Sequence, residues 1–237
     1  MGLSDNVYGE VYKIMEDYDL LDQLHYFMHY NESNNLPYHN MYHSFCVVQT
    51  CHELATESMN FRQCDYVLCG IHEPPVILNH MNVRDLLTAA LFHDFNHSGG
   101  LMDNKDNVRI AIDYAPKRWM TDTVKWIIRA TQYPYVIVLD KLDTPLKYMQ
   151  AIIRDADLVQ FTRENSICQN IYGLYSEMIR SNPKLTFPEF IIGSKKFIND
   201  AEFLVYSNSA MKSIKQSYLD LLNKLQEGER KLVLGNK

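Results

Sequence analysis

Apolar side chains recur along most of this chain every three or four residues, the spacing that gathers them on one face of a helix. Between Val7 and Tyr30 the stripe runs through Val11, Ile14, Met15, Tyr18, Leu21, Leu24 and Phe27, which predicts helix throughout. Asn31–Pro37 is a polar connector closed by a proline, a helix boundary. A second helix is predicted from near His39 to about Met59, carrying Phe45, Val47, Val48 and Leu54. Pro74-Pro75 interrupts the stretch from Phe61 to Asn82, which reads as a connection containing some helix. Helix resumes at Val83 with Asn82 as N-cap and continues through Leu86, Leu87, Ala90 and Leu91 to His93-Asp94. Gly99-Gly100 is expected to stop it.

Further helices are predicted at Asn104–Tyr114, Pro116–Thr131, Pro145–Val159, Ser166–Ser181, Pro188–Tyr206 and Ser209–Gln226. Pro116, Pro145 and Pro188 fall at expected helix starts, where a missing N–H costs little. No repeat or low-complexity tract intervenes. The fold class expected is all-α, a single compact helical bundle over residues 1–237.

Composition narrows the function classes. A chain of 237 residues can bury a large core without disulfides. The formal net charge of −6 gives no overall positive field, so general nucleic-acid binding is not expected. No apolar run approaches the length of a membrane span, so no membrane partner is expected either. The cysteines at 46, 51, 64, 69 and 168 are odd in number and lack zinc-ribbon spacing. With no leader-like start to the chain, reduced thiols and a cytoplasmic location are expected. Cys64, Cys69, His72 and His80 form a weak alternative zinc set.

Three segments carry candidate chemistry: Tyr38–His43, Phe92–His97 and Arg154–Leu158. His39 and His43 stand four apart, as do His93 and His97, so each pair would share one helix face. Asp94 lies between the second pair. Imidazoles mixed with carboxylates suit Zn, Mn, Fe, Co or Ni, and a metal-bound water loses its proton near neutrality. Both histidine segments adjoin apolar helices, where a buried charge needs a partner.

In these segments the chain resembles a known family. The order H…HD…D is the signature of the HD-domain metal-dependent phosphohydrolases. YHNMYHSFCVVQ (Tyr38–Gln49) is similar to the YHNxxHxxxVxQ block of class I cyclic nucleotide phosphodiesterases, and ALFHDFNHSG (Ala90–Gly99) to their HDxxHxG block. DADL (Asp155–Leu158) resembles their ADLS block. The resemblance implies a phosphodiesterase-like helical HD fold and a nucleotide substrate, cyclic or otherwise a phosphodiester. It implies one or two divalent ions (Mn, Fe, Zn, Co, Ni or Mg) held by His43, His93, Asp94 and Asp157. Asp94 would bridge to a second ion, and His97 would sit by that ion's water shell. His39 matches the general acid, a role suited to an imidazole because histidine titrates near neutrality. Asp155 is the alternative ligand, since two residues apart on a helix only one carboxylate can face the site.

The chain is shorter than class I catalytic domains, and no Gln-Phe pair after Asp157 matches their purine clamp. Phe190–Leu204 is more similar to small HD phosphohydrolases, which leaves a phosphomonoesterase, a triphosphohydrolase or a non-catalytic nucleotide sensor as alternatives. Substrate contacts are not identified. Arg129, Lys147, Arg154 and Arg163 are candidates for phosphate, with plain surface charge the competing reading. Asn40 is expected to cap the second helix. Asp103, Asn104, Asp106 and Asn107 read equally as an outer shell or a solvated helix start. His25, His29, His52, His72 and His80 are expected to be structural or exposed.

Overall fold

The computed structural model describes residues 3–59, 76–139, 141–160, 168–206 and 208–235. Ten α-helices account for most of them: α1 Leu3–Asp17, α2 Leu21–Tyr30, α3 Met41–Met59, α4 His80–Phe92, α5 Asn104–Tyr114, α6 Asp122–Arg129, α7 Pro145–Val159, α8 Leu174–Ser181, α9 Phe187–Asp200 and α10 Asn208–Gly235. A 3-10 turn covers Glu32–Asn35, and a π-helical turn, Cys168–Gly173, leads into α8. No β-strand occurs among the described residues, and the fold is all-α as the apolar spacing predicts.

The centre of the molecule is α4. Every residue from Leu86 to Phe92 is buried, so the helix has no solvent face over its last two turns, the pattern of an enclosed helix. It packs against α2, α3, α6 and α7. Phe27, Phe45, Phe92 and Phe95 meet there at ring distances of 5.3 to 6.3 Å. A second apolar cluster joins Ile171, Phe190, Ile191, Ile198, Tyr218 and Leu222 among the π-helical turn, α9 and α10.

Local chemistry explains where the boundaries depart from expectation. The stripe from Val7 to Tyr30 is two helices, not one. Asp19 takes a left-handed φ of 53°, and its N–H and that of Leu20 bond back to Glu16 and Met15 carbonyls. That pair of bonds is a Schellman C-cap, with an aspartate in the seat usually held by glycine. Helix α4 begins at His80 because Asn79 is the N-cap. Asn82, expected as cap, instead returns the bond at N3 in a reciprocal capping box.

Helix α6 starts at Asp122 behind the Thr121 cap, and Pro116 only opens a turn closed by the Trp119 N–H. Thr186 and Glu189 box the start of α9, which stops at Asp200, short of Tyr206. Helix α10 runs past Gln226 to Gly235. α5 and α7 have the expected bounds. Of the expected helix from Ser166 to Ser181, residues 166–167 lie outside the described residues, as do Cys64, Cys69, His72 and Arg163.

Candidate active site

Helix α4 ends at Phe92, and the chain turns immediately. Phe95 N–H bonds to the Phe92 carbonyl and His97 N–H to that of Asp94, so His93 to His97 form turns, not a continued helix face. Asn96 sits at a left-handed φ of 58°. The turn is clamped from the α2–α3 connector: Asn31 Oδ1 accepts from Asn96 N–H at 2.8 Å, and Asn96 Oδ1 accepts from Glu32 N–H at 2.8 Å. Ser33 Oγ donates to the Asp94 carbonyl at 3.3 Å. These bonds aim Asp94 and His93 out of the core end.

The α3 side is set by a cap. Asn40 Oδ1 accepts from His43 N–H at 3.1 Å, so the helix begins at Met41 with His43 in its first turn. His39 therefore precedes the helix, and it and His43 do not share a helical face. From α7, Asp157 completes the group.

His43 Nε2 lies 3.2 Å from Asp94 Oδ2, 3.2 Å from Asp157 Oδ1 and 3.3 Å from His93 Nε2. His93 Nε2 is 3.1 Å from Asp94 Oδ2 and 3.8 Å from Asp157 Oδ1. His93 Nδ1 donates to the Ala90 carbonyl at 2.8 Å, which leaves the Nε2 lone pair facing the other donors. Two buried imidazoles thus point ring nitrogens at each other and at two carboxylates. Such an electron-rich cluster calls for a cation at its centre, either a proton or a metal ion.

The electrostatics agree. Burial alone would lower the His43 imidazole, yet the hydrogen bonds it donates to the Asp157 and Asp94 carboxylates raise it to about 10. Against the same burial, Asp94 lifts His93 as well. Burial works against ionised Asp94 too, but His93 and His39 hold its carboxyl well below the usual range. His43, His93 and Asp94 place one donor atom each within 4.8 Å of one another and could hold a metal ion.

A second constellation adjoins the first. His39 Nδ1 meets Glu177 Oε2 at 2.6 Å, while Glu177 Oε1 accepts from the N–H groups of Tyr38 at 2.7 Å and His39 at 3.0 Å. His97 stacks on His39 with ring centroids 3.7 Å apart, and its Nδ1 accepts from Gly99 N–H. Burial, with His39 alongside, pushes the His97 imidazole down to about 3, so it is neutral at ordinary pH. Glu177 escaped the sequence reading: it sits on α8 with no flanking motif. Its burial shows only in the fold, where it is the one buried residue of α8.

The cleft over these groups has a volume of about 400 Å³. Its walls include Asn104, Asn107 and Tyr135 beside His39, His97 and Asp157. Asn107 Oδ1 accepts from Ser98 N–H and Asn104 Oδ1 from Tyr133 N–H, so both fix loops at the cleft, while Asp103 caps α5. Asp106 pairs with Arg109 on the surface.

Asp155 is turned away from the cluster: fully buried, it accepts from the N–H groups of Leu204 and Val205. Arg154 is buried against the Tyr135 ring, Arg129 lies over Trp126, and Lys147 pairs with exposed Asp143. His80 stacks on Tyr18.

Residues 38–116 match the family model described as 3'5'-cyclic nucleotide phosphodiesterase. The matched stretch contains His39, His43, His93, Asp94 and His97 and ends before Asp157. No curated protein matches the chain. The chain thus resembles class I cyclic nucleotide phosphodiesterases in its first two motif blocks, and its helices and His/Asp cluster are consistent with the HD superfamily. The match supports phosphodiesterase-type hydrolysis that depends on a divalent metal. Among the described residues, no helix is long and apolar enough to cross a membrane.

Proposed function

We propose that this protein hydrolyses a phosphodiester in a nucleotide, with a 3′,5′-cyclic nucleotide the leading candidate. In this reading His43, His93, Asp94 and Asp157 hold one divalent ion. The observation that carries it is the convergence of two Nε2 atoms and two carboxylates where α4 leaves the core. The mixed nitrogen and oxygen donors suit Mn, Fe, Co, Ni or Zn, with Mg as a further candidate. We assign Asp94 as the ligand a second ion would share, and His97 to that ion's water shell. When bound, a divalent ion supplies Lewis acidity toward a phosphoryl oxygen and toward water.

The chain's own residues would handle the proton on the leaving side. Glu177 holds His39 Nδ1–H, which leaves His39 Nε2 as the proton-donating atom toward the cleft. As the water oxygen bonds to phosphorus and gives up one proton to solvent, the P–O bond to the leaving alcohol breaks, and that oxygen takes the proton from His39 Nε2. A positioned general acid contributes about 10²–10⁴ in rate.

Incubation with cyclic AMP or cyclic GMP and Mn²⁺ is expected to yield the 5′-mononucleotide. Nucleotide binding without turnover would leave a sensor. Phosphate or pyrophosphate released only from mono- or triphosphates would move the activity to those esters.

A further inference from the structure

A second cavity of about 400 Å³ lies beside the cleft, among α8, α9 and α10. The two share Tyr133, Leu174, Met178 and Phe197 as lining residues, so the second cavity adjoins the cleft that His39 and Asp157 border. The second cavity is largely apolar: Leu174, Met178, Leu185, Phe190 and Phe197 line it, with Tyr133, Ser194 and Tyr218 also at its wall. Glu189 also borders it, but its carboxylate already accepts from the N–H and hydroxyl of Thr186. An alkyl or aryl group placed there would bury its apolar surface against these side chains.

We propose that this cavity holds an apolar substituent of the substrate, extending the substrate class to phosphodiesters that bear an alkyl or aryl ester group. The inference rests on the phosphodiester-hydrolase reading for what is cleaved. The pocket itself is tested separately, by binding.

Gly193 offers the means. It lies on the cavity wall within α9, and a Cβ built there meets nothing within 4 Å. A leucine at this position would enter the cavity without touching the His/Asp cluster, and an alanine would strengthen the helix.

The experiment measures binding of methylphosphonate and hexylphosphonate to the Mn²⁺-loaded protein by calorimetry. Turnover of methyl and hexyl p-nitrophenyl phosphate is followed in parallel. Each methylene buried should tighten binding about fourfold. Gly193→Leu should abolish the chain-length gain and leave the methyl ligand unchanged, and Gly193→Ala should lose less of it. Equal affinity for the two ligands in the wild type, or a chain-length gain that survives Gly193→Leu, would overturn the pocket. Chain-length-dependent binding without turnover would keep the pocket and remove the hydrolase reading. Turnover with no chain-length dependence would do the reverse.

Discussion

His39 Nδ1 lies 2.6 Å from Glu177 Oε2, a contact that closes 138 residues of chain. The same carboxylate takes the backbone N–H groups of Tyr38 and His39, so one side chain fixes both the ring and the segment that carries it. Charge-assisted bonds of this kind are the strong ones. In the proposed mechanism Glu177 is a positioning residue that acts through His39.

Glu177→Gln should lower kcat by about two orders of magnitude, within the range of a general acid's contribution, and leave metal content unchanged. It also has a pH signature. Burial works against the charged form of Glu177, but the His39 hydrogen bond and nearby charge lower its pKa below 4.5 overall. A depressed carboxyl stabilises the fold above its unfolded pKa, and that contribution is lost as pH falls through the folded value. Urea unfolding should show wild type more stable than the variant at neutral pH, with the gap narrowing in acid. A gap that widened in acid would contradict the assignment.

His39→Asn should slow esters with poor leaving groups by about 10²–10⁴ and spare activated p-nitrophenyl esters, which need no proton on departure. Comparing kcat for a cyclic nucleotide and a p-nitrophenyl diester on both proteins checks this. Equal losses on the two substrates would remove the general-acid role.

Gly100→Ala should destabilise the protein. Gly100 sits at a φ of 82°, and an added Cβ would run into the Glu177 backbone. The left-handed conformation alone costs about 1–2 kcal/mol with a side chain. Relief requires α8 to move, carrying Glu177 off His39, so kcat should fall with metal content intact. Thermal unfolding and turnover on one preparation measure both effects.

Asp155→Ala and Asp157→Ala should separate stability from chemistry. Removing Asp155 leaves the Leu204 and Val205 N–H groups without their acceptor, at about 1–3 kcal/mol for each buried donor. Asp157 is about one-third exposed (30%), and its carboxylate faces His43 and His93. Its loss should leave folding nearly intact and lower metal affinity. Urea unfolding and elemental analysis distinguish the pair, and the opposite pattern would exchange the two roles.

Much of this was legible in the chain. α7 reads directly because Pro145 marks its start, and the structure adds the Thr144 cap just before it. His43 at the start of α3 and His93 just past the end of α4 stand out because polar groups adjoining an apolar helix demand a partner. The rest is nonlocal. Asp19 gives no glycine signal for the break between α1 and α2, because the left-handed cap is stabilised by its backbone bonds. His39 reads as helical by spacing, yet Asn40 takes the cap and starts the helix beyond it. Glu177 meets His39 only once the C-terminal helices have packed, and no pattern near residue 177 points to residue 39. The choice between Asp155 and Asp157 likewise depends on which side of α7 the α9–α10 connection covers.

The most direct test of the central claim is metal content by elemental analysis, on the wild type and on Asp94→Ala, after incubation with Mn²⁺, Zn²⁺ or Fe²⁺. The convergence of His43, His93, Asp94 and Asp157 predicts near-stoichiometric metal in the wild type and its loss in the variant. A wild type that takes up no metal, or an Asp94→Ala protein that retains as much, would contradict a metal centre at this site.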